Sequence, residues 1–187
     1  KSSCDIVTGD GGFDYSDDFN NQEKNSYKLI YNEIFIAYNI QKKGGTFICK
    51  IFDIVNISTI RLLYILYISY TTIKFIKPNT SRPSNSEKYI ICSNFKGYNT
   101  EINNLLFRNI NKPILPINID NEFINYINEY NDIFINNQIF YIDKIINVIK
   151  TNSNTKKLHY NINKSIEWCN KYNIPINNQC IYLKYIK

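Results

Sequence analysis

Histidine, tryptophan and methionine are nearly missing from this 187-residue sequence, which has one histidine, one tryptophan and no methionine. The five cysteines are odd in number and widely spaced, and no C-x-x-C pair or His/Cys cluster occurs. Neither a zinc site nor a disulfide framework is therefore indicated. The cysteines are instead predicted to be small buried residues in a reducing compartment.

Long apolar runs are also missing. The longest extends from Ile57 to Ile68, contains Arg61 and is too short to span a bilayer. No signal peptide is visible, so no membrane partner is expected. The sequence begins with lysine, and candidate site residues occur within its first ten positions, so the chain is expected to be part of a longer protein.

Apolar and aromatic residues are plentiful, at 44% and 15% of the sequence, which indicates a globular fold. The formal charge of +6 is compatible with a nucleic-acid partner. However, Ile, Asn, Lys and Tyr dominate the sequence, and all four have AT-rich codons. A genome of that composition would raise the lysine count whatever the protein binds, so charge alone does not identify a partner.

The hydrophobic pattern alternates between strands and helices as far as Gly97. Strands are predicted over residues 4–8, 46–51, 70–77 and 87–93, and helices over 21–42 and 58–68. Lys42 and Lys43 before two glycines are interpreted as a helix stop, and Ser58 as the N-cap of the second helix. The order β-α-β-α-β-β predicts an α/β fold whose parallel sheet has a hairpin at its edge.

After Gly97 the strand signals fade and asparagine and isoleucine become dense. Helices are predicted over residues 101–109, over 120–149 with a break, and over 165–172. The interpretation is one α/β unit over residues 1–97, followed by a helical extension over 98–187 that packs on it.

Four short motifs carry residues that suit chemistry. They are Asp10-Gly11-Gly12-Phe13, Asn20-Asn21-Gln22-Glu23, Cys49-Lys50-Ile51-Phe52-Asp53 and the segment from Lys77 to Tyr89. Taken singly, the first could be an ordinary turn and Glu87 a solvated charge. Lys50 is more informative, because a lysine at the end of an apolar strand needs a partner.

Together, in this order and at these spacings, the motifs resemble the FtsJ-like ribose 2′-O-methyltransferases. The likeness covers most of residues 4–96 and is strongest to the cap-specific branch, which methylates the first transcribed nucleotide of mRNA. It continues more weakly at Glu122-Phe123 and at 168–175. The resemblance implies the C-terminal half of a Rossmann-like, S-adenosylmethionine-dependent methyltransferase sheet, followed by a helical C-terminal extension.

The resemblance also implies catalytic roles. Asp10, Lys50 and Glu87 match three members of the family's Lys-Asp-Lys-Glu tetrad, and Gly11 and Phe13 match the neighbourhood of the cofactor. The first lysine, the glycine-rich cofactor loop and the ribose-binding acid lie upstream in the family. Lys50 is expected to act on the 2′-OH, either as a base or by stabilising the alkoxide, with both carboxylates orienting it. The isolated chain is therefore expected to bind the cofactor weakly or not at all.

Substrate contacts are expected at Asn20, Asn21, Gln22, Asn85 and Arg82. Two structural alternatives are open: Asn20 and Glu23 could form a capping box, and Arg82 a salt bridge instead of a phosphate contact. His159 is expected at the surface, and Trp168 is expected to anchor a helix to the core. The aspartates Asp14, Asp17 and Asp18 do not match a calcium loop, so no metal is expected.

The expected reaction is therefore methyl transfer from S-adenosylmethionine to a ribose 2′-oxygen at the 5′ end of capped mRNA. Ribosomal or transfer RNA is an alternative substrate, and a non-catalytic RNA-binding subunit is an alternative of another class. Other capping enzymes are possible partners. The protein is expected inside the cell, in the cytoplasm if it is viral and in the nucleus if it is a cellular enzyme.

Overall fold

The computed structural model describes residues 3–15, 18–151 and 157–185, without the side chains of residues 19, 157–160 and 185. The strands are β1 (Cys4–Gly9), β2 (Gln41–Ile51), β3 (Tyr70–Ile76) and β4 (Lys88–Phe95). The α-helices are α1 (Gln22–Ile40), α2 (Ile57–Ser69), α3 (Thr100–Asn109), α4 (Asn121–Lys150) and α5 (Lys157–Lys171). Short 3-10 helices cover Phe19–Asn21 and Ile181–Tyr185.

The four strands form one sheet in the order β1-β2-β4-β3. β1 and β2 are parallel, whereas β4 is antiparallel to both β2 and β3. The predicted α/β fold with a hairpin at the sheet edge is thus confirmed, and β4 is the strand inserted between β2 and β3. The connections through α1 and α2 run in the same direction across the sheet. Since such crossovers are generally right-handed, both helices are expected on one face, and they do contact each other.

The two faces of β3 are covered by different parts of the chain. Tyr70 packs against Phe95, which in turn packs against Tyr38 of α1. Phe75 is an odd number of residues away and so points to the other face. It packs there against Tyr126 and Tyr130 of α4, at ring-centroid distances of 5.8 and 4.4 Å. Residues after 97 therefore contribute to the core around the sheet.

The predicted helix stop at residues 42–45 is wrong. α1 ends at Ile40, and the next eleven residues form β2. Gln41 is almost completely buried and accepts a hydrogen bond from the Tyr70 hydroxyl, which keeps it within the sheet. Gly44 has φ +84° and lies where the β1–β2 register shifts, so this glycine serves a bulge and not a helix end.

Two further helix predictions need correction. α2 begins at Ile57 with Asn56 as its N-cap, not Ser58, and the Asn56 side chain donates to Glu23 instead of capping the helix. α4 is continuous where a break was predicted. Its apolar residues Phe123, Ile127, Tyr130 and Phe134 recur at spacings of three and four and pack, which outweighs the weak helix preference of its asparagines.

The chain divides into two compact units, Lys1–Tyr141 and Ile142–Lys187. The first unit contains the four-stranded sheet, helices α1 to α3 and most of α4. In the second, Trp168 packs against Tyr172 at a ring-centroid distance of 5.1 Å. The predicted boundary after residue 97 stays a prediction. Within the described part of the chain, no helix has both the length and the apolarity needed to cross a membrane.

Candidate active site

All four strands present one end to the same edge of the sheet. β1 and β2 are parallel, so Asp10 and Lys50 lie at neighbouring carboxyl ends. β4 runs in the opposite direction, which places Glu87 at the same edge just before its amino end. Lys77 follows the carboxyl end of β3. The antiparallel insertion of β4 thus gathers four charged residues that are far apart in sequence.

Lys50 and Asp10 form an ion pair at this edge. Gly9 is paired with Cys49 in the sheet, which puts the following residues side by side. The Lys50 Nζ lies 3.0 Å from the Asp10 Oδ1 and also donates to the Asp10 carbonyl oxygen at 3.0 Å. The lysine side chain is only 15% exposed, whereas the aspartate side chain is 68% exposed. The lysine is therefore held in place while the carboxylate faces solvent.

Tyr89 is a second partner of Asp10 that the sequence did not reveal. It stands opposite Lys50 in the β2–β4 register, and its hydroxyl donates to the Asp10 Oδ1 at 3.2 Å. Burial, with the negative charges of Glu87 and Asp10, raises the pKa of Tyr89 to about 12. The phenol therefore stays a hydrogen-bond donor across the neutral and mildly alkaline range.

The glycine segment after β1 is tied to α1 by Glu33. The Gly11 N–H donates to the Glu33 Oε1 at 2.9 Å, and the Cys49 thiol donates to the other carboxylate oxygen at 3.4 Å. Burial, with Glu33 nearby, raises the pKa of the Cys49 thiol well above its usual range. A Cβ atom on Gly12 would lie 3.3 Å from the Lys50 Nζ. A larger residue at this position would therefore require the end of the Lys50 side chain to shift by a few tenths of an ångström.

Glu87 is positioned by its own loop. Its Oε1 accepts a hydrogen bond from the Ser81 Oγ at 3.2 Å. Among the described residues, Lys50 forms its ion pair with Asp10. The Glu87 carboxylate lies more than 4 Å from the Lys50 Nζ. Both side chains line the same open cavity of about 600 Å³, called here the crevice. The expected catalytic role of Glu87 stays a prediction.

Lys77 organises the loop between β3 and β4, a role that the sequence did not suggest. Its Nζ donates to the Asn85 Oδ1 and to the Glu87 carbonyl oxygen, both at 2.5 Å, and to the Asn85 carbonyl oxygen at 2.9 Å. Burial lowers the pKa of Lys77 to about 8. The ammonium group therefore closes the loop that carries Asn85 and Glu87.

The expected substrate residues do not all face the crevice. Asn20, Gln22, Arg82 and Asn85 line it, together with Gly12 and Phe13. The Asn21 side chain instead donates to the Asp18 Oδ2 at 2.6 Å. Arg82 makes no ion pair with any described residue, so the salt-bridge alternative has no support. Their contacts with substrate stay predictions.

The capping-box interpretation of Asn20 and Glu23 is wrong. Asn21 is the N-cap of α1, and it makes no side-chain capping bond. The buried Glu23 accepts hydrogen bonds from the Val55 and Asn56 N–H groups at 3.0 and 2.9 Å. It thereby fixes the segment that joins β2 to α2, and no local pattern in the sequence shows such a contact between distant residues.

An ion pair between a buried lysine and a half-exposed aspartate holds two residues of the crevice lining. The Lys88 Nζ lies 3.0 Å from the Asp53 Oδ1 and donates to the Phe52 carbonyl oxygen at 3.2 Å, and the lysine side chain is 4% exposed. Phe52 and Asp53 both line the crevice. Only the sheet register, which places Lys88 opposite Ile51, brings this lysine to them.

Two expectations concern residues outside the described part of the chain, namely Asp17 and the side chain of His159. Cys49 and Cys92 are buried as expected, whereas Cys4, Cys169 and Cys180 are only half-buried. Among the described residues, no group of three or more His, Cys, Asp or Glu side chains could hold a metal ion.

Comparison with known proteins identifies the family. The FtsJ-like methyltransferase family matches residues 1–95. The cap-specific mRNA (nucleoside-2′-O-)-methyltransferase 1 of Dictyostelium discoideum is 38% identical over 146 residues, which are 72% of this chain and 19% of that protein. The corresponding enzyme 1A of Caenorhabditis briggsae is 31% identical over 157 residues, 74% of this chain and 18% of that protein.

A third relative is named differently. The protein called inactive cap-specific mRNA (nucleoside-2′-O-)-methyltransferase 1B of Caenorhabditis briggsae is 29% identical over 157 residues, 74% of this chain and 19% of that protein. The chain thus spans less than a fifth of the length of these curated relatives. The family predicted from the four motifs is confirmed: the chain belongs to the FtsJ-like methyltransferases.

Proposed function

We propose that the protein transfers a methyl group from S-adenosylmethionine to a ribose 2′-oxygen of RNA, at the first transcribed nucleotide of capped mRNA. The observation that carries the proposal is the Lys50–Asp10 pair, in which an enclosed lysine that lines the crevice is held by an exposed carboxylate. Capped RNA is its proposed substrate, and other capping enzymes are proposed partners.

The geometry suits activation of a hydroxyl group. Lys50 has two acceptors within 3.0 Å, both on Asp10, so its ammonium group is held at a fixed point. A fixed cation stabilises the negative charge that develops on a ribose oxygen as its proton passes to solvent in the open crevice. Positioning contributes the rest, because a hydroxyl held in line with the methyl donor reacts far faster than one in solution.

The residues around Asp10 fit the proposed cofactor. S-adenosylmethionine supplies a methyl group that is already activated on a positively charged sulfur. Phe13 lines the crevice and is 59% exposed, and the Asp10 carboxylate, three residues earlier in the chain, is exposed as well. An aromatic face and an anion both attract a cation. Asp10, Gly11 and Phe13 are accordingly the residues of this chain proposed to lie at the cofactor.

The choice of capped RNA is supported by the names of the relatives and by the crevice lining. Amide side chains of Asn20, Gln22 and Asn85 can bond base edges or sugar hydroxyls, and Arg82 can bond a phosphate. The Asn85 carboxamide oxygen accepts from Lys77, so its amide nitrogen is the end that can face a ligand.

A non-catalytic RNA-binding role is the second candidate, because one similar relative is named inactive. Overall similarity does not separate the two roles, since the relatives named as enzymes have comparable identity. The separation rests on the Lys50–Asp10 pair, which a purely RNA-binding protein does not need.

The decisive experiment supplies the natural full-length protein with radiolabelled S-adenosylmethionine and two otherwise identical short RNAs, one capped and one uncapped. Label is expected on the ribose 2′-oxygen of the capped RNA alone. Equal labelling of both RNAs would refute the cap assignment. Binding of capped RNA without any labelling would favour the non-catalytic role.

A further inference from the structure

One face of α4 touches three separate parts of the candidate site. Asn131, Phe134 and Gln138 follow one another at spacings of three and four residues, which places them on the same side of a helix. All three precede residue 142 and so belong to the compact unit that contains the sheet. This stripe is called the site face of α4.

Each residue of the site face has a partner next to the candidate site. The Asn131 Nδ2 donates to the Ile54 carbonyl oxygen at 2.8 Å, just after Asp53. The Phe134 ring centroid lies 5.6 Å from the Lys88 Nζ. The Gln138 Nε2 donates to the Ser84 carbonyl oxygen at 3.1 Å. The helix therefore braces the end of β2, the start of β4 and the loop between β3 and β4.

Gln138 differs from the other two because its side chain also lines the crevice, beside Ser84 and Asn85 and on the same cavity as Lys50. The turn of α4 that precedes it is fixed by ring packing. Phe75 lies 4.4 Å from Tyr130, and Tyr130 lies 4.3 Å from Phe134, measured between ring centroids. Because this part of α4 is fixed, the Gln138 side chain keeps a constant position in the lining of the crevice.

We propose that Gln138 is a substrate-contacting residue of the crevice, with its carboxamide bonded to RNA next to the nucleotide that is methylated. This inference rests on the proposed function and deepens it, because it assigns a specificity role to the helical region after the sheet. A carboxamide has two N–H donors and one oxygen acceptor, and the bond to Ser84 uses a single donor.

The other donor and the oxygen match a group that both accepts and donates, such as a ribose hydroxyl or a base edge. Gln138 is neutral, so it adds a different kind of contact to a crevice that also has charged side chains. Arg82, on the same crevice, supplies the positive charge for phosphate, and Gln138 supplies recognition that does not depend on charge.

The test uses the natural full-length protein, radiolabelled S-adenosylmethionine and a short capped RNA. Gln138→Ala is expected to raise the KM and the Kd for the RNA about fivefold to tenfold, as the loss of one or two hydrogen bonds implies. The kcat at saturating RNA and the KM for the cofactor are expected to change less than twofold. Fluorescence anisotropy gives the Kd without any need for catalysis.

Asn136→Ala is the matched control, because Asn136 is an exposed amide on the same helix that does not line the crevice. Gln138→Met, which keeps the side-chain length but has no N–H donor and no carbonyl acceptor, is the second variant, and unchanged thermal midpoints show that both variants fold. An unchanged KM and Kd in both would overturn the inference. A fall in kcat with unchanged KM would also overturn it, since Gln138 would then only brace Ser84.

The two proposals fail differently. If the wild-type protein binds capped RNA but transfers no methyl group, the proposed reaction is refuted, and the binding measurements on Gln138→Ala still decide the inference. If the wild-type protein transfers methyl groups and Gln138→Ala binds RNA normally, the reaction stands and the inference is refuted.

Discussion

Lys50 and Asp10 form a pair at 3.0 Å in which the cation is enclosed and the anion is open to solvent. A second ion pair, between Lys42 of β2 and Asp5 of β1, has the same 3.0 Å separation, but both of its side chains are exposed, by 48% and 79%. The two ion pairs therefore have the same N–O distance but differ in how exposed the lysine side chain is. Exposed pairs contribute little to stability and offer no fixed cation to a ligand.

Replacement of Lys50 is expected to abolish most methyl transfer. Lys50→Ala removes the cation that would meet the ribose oxygen, so the single-turnover rate is expected to fall by at least about a hundredfold. Lys42→Ala is the control, because it removes another lysine of β2 that lies 3.0 Å from its carboxylate partner. This variant is expected to leave the rate within twofold. A Lys50→Ala protein with wild-type rate would refute the mechanism.

Tyr89→Phe is expected to reduce kcat about tenfold, because a hydrogen bond to a charged group contributes about 1.5 kcal/mol. The variant keeps the ring and loses only the donor that orients the Asp10 carboxylate. Since the pKa of Tyr89 is raised to about 12, the wild-type profile of kcat below pH 10 should show no step from this phenol. Tyr126→Phe, which removes a hydroxyl away from the crevice, should leave kcat unchanged.

Glu23→Ala is expected to lower the free energy of unfolding by about 3 kcal/mol, because it leaves the Val55 and Asn56 N–H groups without their acceptor. Glu23→Gln keeps an oxygen acceptor and should cost less. Chemical denaturation followed by circular dichroism measures both changes. Glu129→Ala, an exposed glutamate of α4, is the control and should be nearly neutral. Equal losses in Glu23→Ala and Glu129→Ala would contradict the assigned role.

Lys77 gives a dependence of stability on pH. Burial lowers its pKa from 10.5 to about 8, with Lys88 and Arg82 acting in the same direction and Glu87 and Asp53 opposing. The folded protein thus loses this proton at lower pH than the unfolded chain does. Stability from this group is therefore gained as the pH rises from about 8 to 10.5, and it is lost again as the pH falls through 8.

The measurement compares wild type with Lys77→Met at pH 7, 8, 9 and 10 by chemical denaturation. The stability of the wild type relative to the variant is expected to increase across that range. Lys74→Met, which removes an exposed lysine from β3, is the matched control for the loss of one positive charge. A wild-type advantage that shrinks with rising pH would show that Lys77 is not buried as described.

The sequence by itself determined the α/β class, the family and the positions of most helices and strands. Each of these has a local signature, namely a period of two or of 3.6 residues, a glycine after a strand, or a short motif. The segment around Lys50 is an example, since an apolar strand that ends in lysine can be recognised without its partners.

Only the tertiary structure decided which residues meet. Tyr89, Glu33, Lys77 and Gln138 lie in the sequence without any sign that they bond Asp10, Gly11, Asn85 and Ser84. Their partners are fixed by the antiparallel insertion of β4 and by the packing of α4 on β3. Strand register and helix packing depend on contacts between segments that are distant in sequence. A local sequence pattern does not predict such contacts.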